Sequence, residues 1–523
     1  MCIRDRWNEA GTVLKEPGGR LNIALVYPST YWVGMSNLGL QQMYRLFNEH
    51  PGILCERFFT DSPRSVEAHR PLSDFHLVAF SISYEMDFIE AVRILRENGI
   101  TIPARQRLGR PIVMAGGSAL TMNPEPLADA CDICFLGDGD SLPEKLHAAF
   151  TRSSGYEEFL ERMGPADGVY LPARVRPAYE GDTLASIEGR PPRLSLVNPL
   201  TEPARTSVVT RDTAFGDMYL VETARGCPFS CAFCSAREVY SPYRPVSLDR
   251  LCSILDEAAG HRDKIGLVST SLNNHPEAAA LFAEIRRRGL KVAPPSLRSG
   301  MIGPELLAAL ADSGVKGVSL APETGSEHLR FSAGKNIRNE TILDDVRSLV
   351  EAGIRDLKLY FMVGLPGEEL ADLDETIDLI KRVRQTFLKI SRGNRKIGTV
   401  AVSVNTFVPK PHTPFERQPM VEPGQARARI KRIETGLKKE SNVQVSFEGP
   451  KWAYLQALLA RGDRRLLGLI TELAGHDASS WHRLLKRWPL NPDYYALRER
   501  GETELLPWSF LRGSRCVEGG HEG

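Results

Sequence analysis

The sequence has no excess of either charge and few cysteines. Lysine and arginine total 66 against 65 aspartate and glutamate in 523 residues, a net charge of +1. Such a balance gives no reason to expect nucleic acid, an anionic membrane or an acidic ligand as a partner. Nine cysteines are too few for a disulfide scaffold in a chain of this length, so reduced thiols are expected.

Long apolar runs are also missing. No window approaches the roughly 18 apolar residues that a membrane span needs, and the first residues lack the apolar core of a secretory signal. These absences predict a protein without a membrane span, located in the cytoplasm. Residues 1–6 fit no pattern around them and are left out of the fold argument. The composition, 42% hydrophobic and 25% charged, predicts folded globular domains.

Short apolar runs alternate with helical periods in two successive series, the pattern of parallel sheets covered by helices. The first series predicts strands at 21–27, 76–83, 111–115 and 133–136. The second predicts strands at 218–223, 265–269, 291–294, 317–321, 356–363 and 399–407. Six strand and helix units match a partial (β/α)6 barrel, short of the eight in a closed TIM barrel. The predicted domains are 20–151, a linker at 152–215, 216–423, and a mostly helical region at 424–523.

The most specific motif follows the first strand of the second series. The segment RGCPFSCAFC places Cys227, Cys231 and Cys234 at a C-x3-C-x2-C spacing in one loop, where three thiolates can converge on one soft metal centre. A structural zinc site or a ferredoxin-type cluster wants four protein ligands, and the next candidates, Cys252 and His261, are not at a short spacing. Three ligands suit a [4Fe-4S] cluster with one iron free to bind another molecule.

This loop resembles the hallmark of the radical SAM superfamily, in which an aromatic residue precedes the third cysteine, as Phe233 does here. Three later segments resemble family motifs in the expected order: APETGS at 321–326, VGLPGE at 363–368 and NTFVPKP at 405–411. The resemblance implies a [4Fe-4S] cluster and S-adenosylmethionine (SAM), which is cleaved to a 5′-deoxyadenosyl radical. The implied SAM contacts are Phe233, Ser269, Ser271, Glu323, Gly364, Pro366 and Gly367.

Some of these contacts have a simpler interpretation. Family members often carry Gly-Gly-Glu after the second strand, whereas this chain has the segment STSLNN, starting at Ser269. Glu323 could instead cap the helix that follows its strand. Gly364 and Gly367 could be ordinary loop glycines around Pro366. Their positions at the ends of predicted barrel strands favour the SAM site.

The first domain resembles the cobalamin-binding domain of B12-dependent radical SAM proteins. The implied cobalamin contacts, at the ends of its strands, are Tyr27, Ser81, Ser83, Gly116, Gly117, Gly137 and Gly139. Other cobalamin domains carry a D-x-H-x-x-G loop after the first strand, which is missing here. Asp74-Phe75-His76 only mimics its start, so His76 is interpreted as a strand-edge residue and cobalt is not expected to have a histidine ligand from this chain. The alternative is a domain that kept the fold without the cofactor.

Two further groups are interpreted as structural. Cys131 and Cys134 have a C-x-x-C spacing that a redox pair would have, but they lie at and within an apolar strand, where cysteine behaves as a small hydrophobe. Arg461, Arg464 and Arg465 could contact an anionic substrate, and the favoured interpretation is a solvated helix face.

The predicted fold is α/β: a Rossmann-like cobalamin-binding-type domain, then a partial (β/α)6 radical SAM barrel and a mostly helical C-terminal region. The predicted function is a radical SAM enzyme that performs cobalamin-assisted methyl transfer or rearrangement on an unknown substrate, with a small molecule as one possibility. It needs a one-electron reductant such as flavodoxin or ferredoxin, and nucleic acid is not indicated. No catalytic side chain is assigned. The alternatives are a tRNA or protein methylthiotransferase and a non-catalytic iron-sulfur electron carrier or zinc-stabilised binding protein.

Overall fold

The computed structural model describes residues 7–107, 109, 111–391 and 398–511. The first unit and its extension contain β1 Leu21–Val26, α1 Tyr31–Gly34, α2 Leu38–Glu49, β2 Ile53–Phe58, β3 Leu77–Ser81, α3 Asp87–Glu97, β4 Ile112–Gly116, α4 Ser118–Met122, α5 Glu125–Ala128, β5 Ile133–Phe135, α6 Leu142–Arg152, α7 Tyr156–Met163, β6 Val169–Tyr170, β7 Arg176–Glu180 and β8 Thr183–Glu188. The second unit contains β9 Tyr219–Glu222, β10 Ala224–Arg225, α8 Ala236–Tyr240, β11 Arg244–Pro245, α9 Leu248–Ala259, β12 Lys264–Val268, α10 Ala278–Arg287, β13 Lys291–Ala293, α11 Pro304–Asp312, β14 Gly317–Glu323, α12 Glu327–Ser332, α13 Asn339–Glu351, β15 Asp356–Val363, α14 Leu370–Ser391, β16 Thr399–Thr406, α15 Pro423–Leu437 and β17 Val443–Phe447. The last helices are α16 Pro450–Arg461, α17 Leu467–Ala474, α18 Trp481–Arg487 and α19 Pro492–Ala496.

The first sheet has the strand order β2-β1-β3-β4-β5-β6. Its first five strands are parallel, and β6 pairs antiparallel with β5. The order 2-1-3-4-5 is a doubly wound arrangement that binds ligands at the carboxyl ends of β1 and β3, where the chain switches direction. The predicted Rossmann-like unit is therefore confirmed, with its ligand-binding edge at the strand ends that carry the predicted cobalamin contacts.

Helices cover both faces of this sheet. Alternate residues of β1 enter two different cores: Ile23 and Leu25 pack with residues of α2, α6 and α7, while Ala24 and Val26 pack on the opposite face. That second core contains α3 together with apolar residues of α16 and α17, such as Leu458. The C-terminal helices therefore complete the core of the first unit.

The second unit is an open barrel of parallel strands. A three-stranded sheet, β9-β12-β13, and a four-stranded sheet, β14-β15-β16-β17, are joined by an isolated parallel bridge between Leu297 and Leu320. Along β15 exposed or half-buried residues alternate with buried ones, because Leu357, Leu359 and Phe361 face the surrounding helices. In the described part of the chain β9 does not pair with β17, so the barrel is not closed.

All six predicted barrel strands are confirmed, and two parallel strands, β2 and β17, were not predicted. β2 has charged residues at its centre, and Arg57 lies buried there between the carboxylates of Glu67, at 2.6 Å, and Glu9, at 2.8 Å. β17 adds a seventh strand to the barrel in a region predicted to be mostly helical. The predicted linker at 152–215 contains α7, β6 and the β7–β8 hairpin, of which α7 and β6 join the first unit.

The predicted solvated face of Arg461, Arg464 and Arg465 is wrong. The Arg461 side chain is fully buried and donates hydrogen bonds to the carbonyl oxygens of Ala496 and Arg498. Arg464 forms an ion pair with the buried Glu125 at 2.9 Å, and Arg465 pairs with Asp463 at 2.8 Å. These arginines hold the C-terminal region together and attach it to the first unit. No helix in the described ranges is long and apolar enough to cross a membrane.

Candidate cluster and cofactor site

The three cysteines lie in the loop that follows β9 and β10, at the carboxyl edge of the barrel. Cys227, Cys231 and Cys234 are half-buried free thiols. Burial raises the pKa of the Cys234 thiol, a hydrogen bond from the Ala236 backbone lowers it, and the nearby Cys231, Cys227 and Glu323 raise it. The loop therefore brings three soft donors together beside the end of β14.

Contacts from several elements hold the loop. Gly226 has a φ of +88°, and a Cβ there would lie 2.6 Å from the carbonyl oxygens of Tyr240 and Pro242, so only glycine fits this approach. The Thr270 hydroxyl donates to the Gly226 carbonyl. On the other side, the Ala232 N–H donates to the Ala333 carbonyl at 2.9 Å. The cysteines are thus presented on a supported backbone.

The donor set suits a cluster better than a single ion. Within the described residues no group of three His, Cys, Asp or Glu side chains converges on one ion position, as a zinc site would require. A [4Fe-4S] cluster needs no such convergence, because each thiolate binds a different iron atom. Three thiols in one loop fit that group.

Phe233 connects the loop to two other predicted motifs. It packs in a small apolar cluster with Leu329, Leu365 and Phe407, which lie in α12, the VGLPGE segment and the NTFVPKP segment. The Phe415 N–H also donates to the Ala232 carbonyl at 3.1 Å. Three motifs that are far apart in the sequence therefore meet at one edge of the barrel.

Glu323 ends β14 with a φ of +71°, unusual for a residue with a side chain. Its carboxylate lies 2.7 Å from Lys335 Nζ. It does not cap the next helix, since the hydroxyl of Ser326 accepts from the Leu329 N–H at the start of α12. The capping alternative for Glu323 is therefore wrong. Its SAM contact stays a prediction, and Glu323 lies beside the cysteine loop, where that contact would be made.

The VGLPGE segment turns sharply after β15. Gly364 and Gly367 have φ values of +82° and +80°, Pro366 is half-buried between them, and Gly367 is exposed. The Glu368 side chain folds back so that its carboxylate accepts from the Gly364 N–H at 2.9 Å. Gly364 thus belongs to a fixed turn, while Pro366 and Gly367 present the tip of that turn.

A pH-dependent stability contribution follows from Glu368. Its side chain is 1% exposed, and burial raises its pKa from 4.5 to about 7, against the opposing effects of the Gly364 N–H and Arg429. The folded chain therefore binds a proton that the unfolded chain releases between these two values, so this stabilisation is lost as the pH rises through about 7. We expect Glu368→Gln, which cannot titrate, to lose less stability over that interval. Thermal unfolding midpoints of both proteins at about pH 5.5 and about pH 8 check this, and parallel curves would contradict it.

The serines after β12 occupy different surroundings. Ser269 lines the large cavity described next, and its Oγ lies 3.2 Å from the backbone N of Ser271. Ser271 is 2% exposed, and its buried hydroxyl has no hydrogen-bond partner within the described residues. A buried hydroxyl without a partner is costly, and a bound ligand would supply the missing partner, so the SAM contact predicted for Ser271 stays a prediction.

A cavity of about 470 Å³ lies between the first sheet and the barrel. This size is typical of sites for small organic ligands. Its walls include the carboxyl ends of β3, β4 and β5 on one side and those of β9 and β12 on the other. Gly226, the residue before Cys227, also lines it. One chamber therefore connects the predicted cobalamin edge to the cysteine loop.

Six of the seven predicted cobalamin contacts line this cavity: Ser81, Ser83, Gly116, Gly117, Gly137 and Gly139. Tyr27 lies beside it, with its hydroxyl 3.5 Å from Nδ2 of the cavity residue Asn37. Sequence reasoning missed Asn37, Tyr240 and Met43 on the walls. Asn37 follows a Met-Ser dipeptide in a loop, and no local pattern marks it. None of the described residues on these walls is a histidine.

A buried ionic link joins the two sides of the cavity. Nη1 of Arg225 lies 3.0 Å from both Asp138 and Asp140, and its Nε lies 2.8 Å from Glu222. Asp138 also pairs with Arg244 at 2.5 Å. The two aspartates belong to the GDGD segment after β5, and Arg225 stands two residues before Cys227. The link fixes the cysteine loop against the first unit.

Cys131, Cys134 and His76 lie away from this chamber. Cys131 and Cys134 are buried free thiols in an apolar core, as predicted. His76 precedes β3 at the opposite edge of the sheet, where its Nδ1 accepts from the Asn22 N–H. Its interpretation as a strand-edge residue is confirmed.

Two family models match the chain in the order that the motifs indicate. The model "Radical SAM proteins, N-terminal" matches residues 39–172, and the model "Radical SAM superfamily" matches residues 221–380. The chain belongs to the radical SAM superfamily. Its radical SAM domain implies a [4Fe-4S] cluster and SAM, and the match disfavours the interpretation as a zinc-stabilised binding protein.

Similar proteins cover most of the chain. An uncharacterized protein of Methanocaldococcus jannaschii is 28% identical over 451 residues, which are 85% of this chain and 89% of that protein. An uncharacterized methyltransferase of Pyrococcus horikoshii is 27% identical over 279 residues, covering 52% of this chain and 58% of the relative.

The fold has a solved counterpart. The structure of OxsB, a cobalamin-dependent S-adenosylmethionine radical enzyme with aqua-cobalamin and SAM bound, matches with a TM-score of 0.51 at 14% identity. The match covers 69% of this chain and 52% of OxsB. This likeness confirms the predicted fold class of a Rossmann-like unit followed by a radical SAM barrel.

Proposed function

We propose that this radical SAM protein is an enzyme that binds cobalamin in its interdomain cavity and transfers a methyl group to a small-molecule substrate. The observation that carries the proposal is the chamber shared by the glycine-rich strand ends of the first sheet and the cysteine loop. When bound, the cluster supplies the electron that cleaves SAM, and cobalamin supplies a methyl carrier. Rearrangement of the substrate carbon skeleton is the other outcome that this cofactor set allows.

The chain's own residues bind and orient these groups. Cys227, Cys231 and Cys234 would hold the cluster, each on its own iron. Ser269, Ser271, Glu323 and the tip formed by Pro366 and Gly367 are the proposed SAM contacts, together with Gly364 in the same turn and Phe233 beside it. The apolar packing of Phe233 excludes water from that side of the loop.

The first unit would hold cobalamin through backbone rather than through charge. Gly116 ends β4, Gly117 follows it, and Gly137 and Gly139 follow β5, so the backbone can approach a flat ligand closely. Ser81 and Ser83 offer hydroxyls at the end of β3, and Tyr27 supports the wall from behind. We further propose a one-electron donor such as a flavodoxin or ferredoxin, because SAM cleavage consumes one electron.

The methylthiotransferase alternative is less well supported. It would need three further cluster cysteines in the first unit, and the described candidates are Cys55, Cys131 and Cys134. Cys55 lies in β2 and Cys134 in β5, at opposite sides of the sheet, and all three are buried. They do not form a second cluster site.

Anaerobic reconstitution with iron and sulfide, followed by SAM and a chemical reductant, tests the enzyme class. We expect 5′-deoxyadenosine to form. An intact cluster without that product would favour the electron carrier.

A second experiment tests the reaction type: SAM with a labelled methyl group is added with cobalamin and small-molecule extracts. Label transfer supports methylation, and a product without label supports rearrangement.

Corrinoid binding tests the cavity. A Cβ at Gly116 would lie 3.2 Å from the Phe135 carbonyl, close but tolerable, and a longer side chain there enters the cavity. We expect Gly116→Leu to weaken binding of hydroxocobalamin at least tenfold in titrations followed by absorbance, while SAM cleavage survives. Gly155→Leu is the matched control, because nothing lies within 4 Å of that position. Equal corrinoid affinity in both variants would contradict the proposed site.

A further inference from the structure

An arginine that the family motifs do not include lies beside one of the cluster cysteines. Arg298 follows β13, in the segment whose neighbour Leu297 bridges to β14. Its Nη1 lies 3.9 Å from Cys231 Sγ. Its guanidinium carbon stacks 3.7 Å from the centre of the Phe229 ring. Both contacts are with the cysteine loop, so the cation is held against it.

The backbone of Arg298 is fixed by one side chain. Asn273, in the segment after β12, accepts from the Arg298 N–H at 3.4 Å and donates to the Arg298 carbonyl at 2.8 Å. The same amide donates to the Met301 carbonyl at 2.9 Å. Two contacts therefore hold Arg298 in place: Asn273 fixes its backbone, and the Phe229 ring packs against the plane of its guanidinium.

The charge of Arg298 is not neutralised by a neighbour. Within the described part of the chain it forms no ion pair, and its side-chain contacts are the thiol of Cys231 and the face of Phe229. Two other cations at this site differ: Arg225 is surrounded by three carboxylates and Lys335 is paired with Glu323. The field of Arg298 therefore acts on Cys231 without a counter-charge.

We propose that Arg298 raises the reduction potential of the cluster held by Cys231 and its two partners. The proposal rests on the proposed function, because it requires the cluster. Reduction moves one electron from the donor to the cluster and changes no bond, so the reduced cluster is more negative by one charge. A fixed cation and a hydrogen bond at a ligand sulfur stabilise that state more than the oxidised one. Arg298 therefore acts on reduction of the cluster indirectly, through Cys231, and is a positioning residue rather than a catalytic one.

The test is a redox titration of the reconstituted protein, followed by the electron paramagnetic resonance signal of the reduced cluster. We expect Arg298→Met to lower the midpoint potential by about 59 mV, a tenfold change in the reduction equilibrium for one electron. Arg298→Lys, which keeps the charge, should recover most of the shift. Arg347→Met is the matched control: its side chain is 53% exposed on α13 and pairs with Asp344, so solvent and salt screen it.

Each result of the redox titration either supports or overturns the role proposed for Arg298. Equal potentials in wild type and Arg298→Met, with full iron content, would overturn the proposal and leave the proposed function standing. A shift that appears only with SAM added would also overturn it, in favour of a SAM contact. If the methionine variant loses its cluster, Arg298→Gln provides the same comparison without the charge, and loss of the cluster there as well would assign Arg298 to cluster retention instead. A wild-type protein that takes up no cluster would refute the proposed function itself.

Discussion

Replacement of Cys231 with alanine is expected to abolish cluster binding and SAM cleavage while the chain remains folded. With one thiolate removed, the loop holds two irons instead of three, and the cluster loses its anchorage. The fold should survive because Cys231 is half-buried and lies outside the described apolar cores. Iron and sulfide content after anaerobic reconstitution, 5′-deoxyadenosine formation and circular dichroism measure these three expectations.

The matched control for this variant is Cys252→Ala. Cys252 is a half-buried thiol on α9, as accessible as the loop cysteines but outside the loop. It should keep its full iron content and its SAM cleavage. A Cys231→Ala protein that retains four irons per chain and turns over SAM would refute the assignment of the loop as the cluster site.

Replacement of Arg225 with methionine is expected to destabilise the protein by about 3–5 kcal/mol, because it leaves buried carboxylates without their cation. Glu222, Asp138 and Asp140 all approach this guanidinium, and their side chains are 8 to 16% exposed. Burial alone raises the pKa of Asp138, and Arg225 and Arg244 together hold it below its ordinary value. The variant should also bind its cluster less tightly, since Arg225 fixes the loop against the first unit.

The free energy of unfolding, determined by heat or denaturant, measures this loss of stability. Arg211→Met is the comparison, because Arg211 pairs with Asp217 at 3.2 Å while its side chain is 74% exposed, and such surface pairs contribute about 0–1 kcal/mol. Asp140→Asn should lie between the two, since Asp138 and Glu222 remain paired with Arg225. A loss in Arg225→Met no larger than in Arg211→Met would contradict a stabilising role for the link.

Much of this architecture could be predicted because its signals are local. The barrel strands β9, β12, β15 and β16 are short apolar runs between helical periods, and each was predicted to within two residues at either end. The cysteine loop is likewise a local pattern. That the glycines at 116, 117, 137 and 139 line one cavity was predictable because they lie at or just after strand ends, and in a parallel sheet the strand ends share one edge.

The missed elements depend on contacts between distant parts of the chain. β2 was not predicted as a strand because Arg57 interrupts its apolar run, and that buried charge is paired with Glu9 and Glu67, which are distant from it in sequence. Nothing near Arg298 indicates that it reaches Cys231, which precedes it by 67 residues. Arg461 was predicted to lie on the surface, because its burial depends on hydrogen bonds to the distant carbonyl groups of Ala496 and Arg498.

The packing of α16 and α17 on the first sheet has a consequence for how the chain is made. The part of the apolar surface of α3 that packs against α16 and α17 is uncovered until residues such as Leu458 and Leu473 have left the ribosome, after the entire barrel. The first unit therefore keeps this apolar surface exposed while the barrel is being translated. Ribosome-bound chains that end before α16 should be captured by chaperones more strongly than chains that extend beyond it.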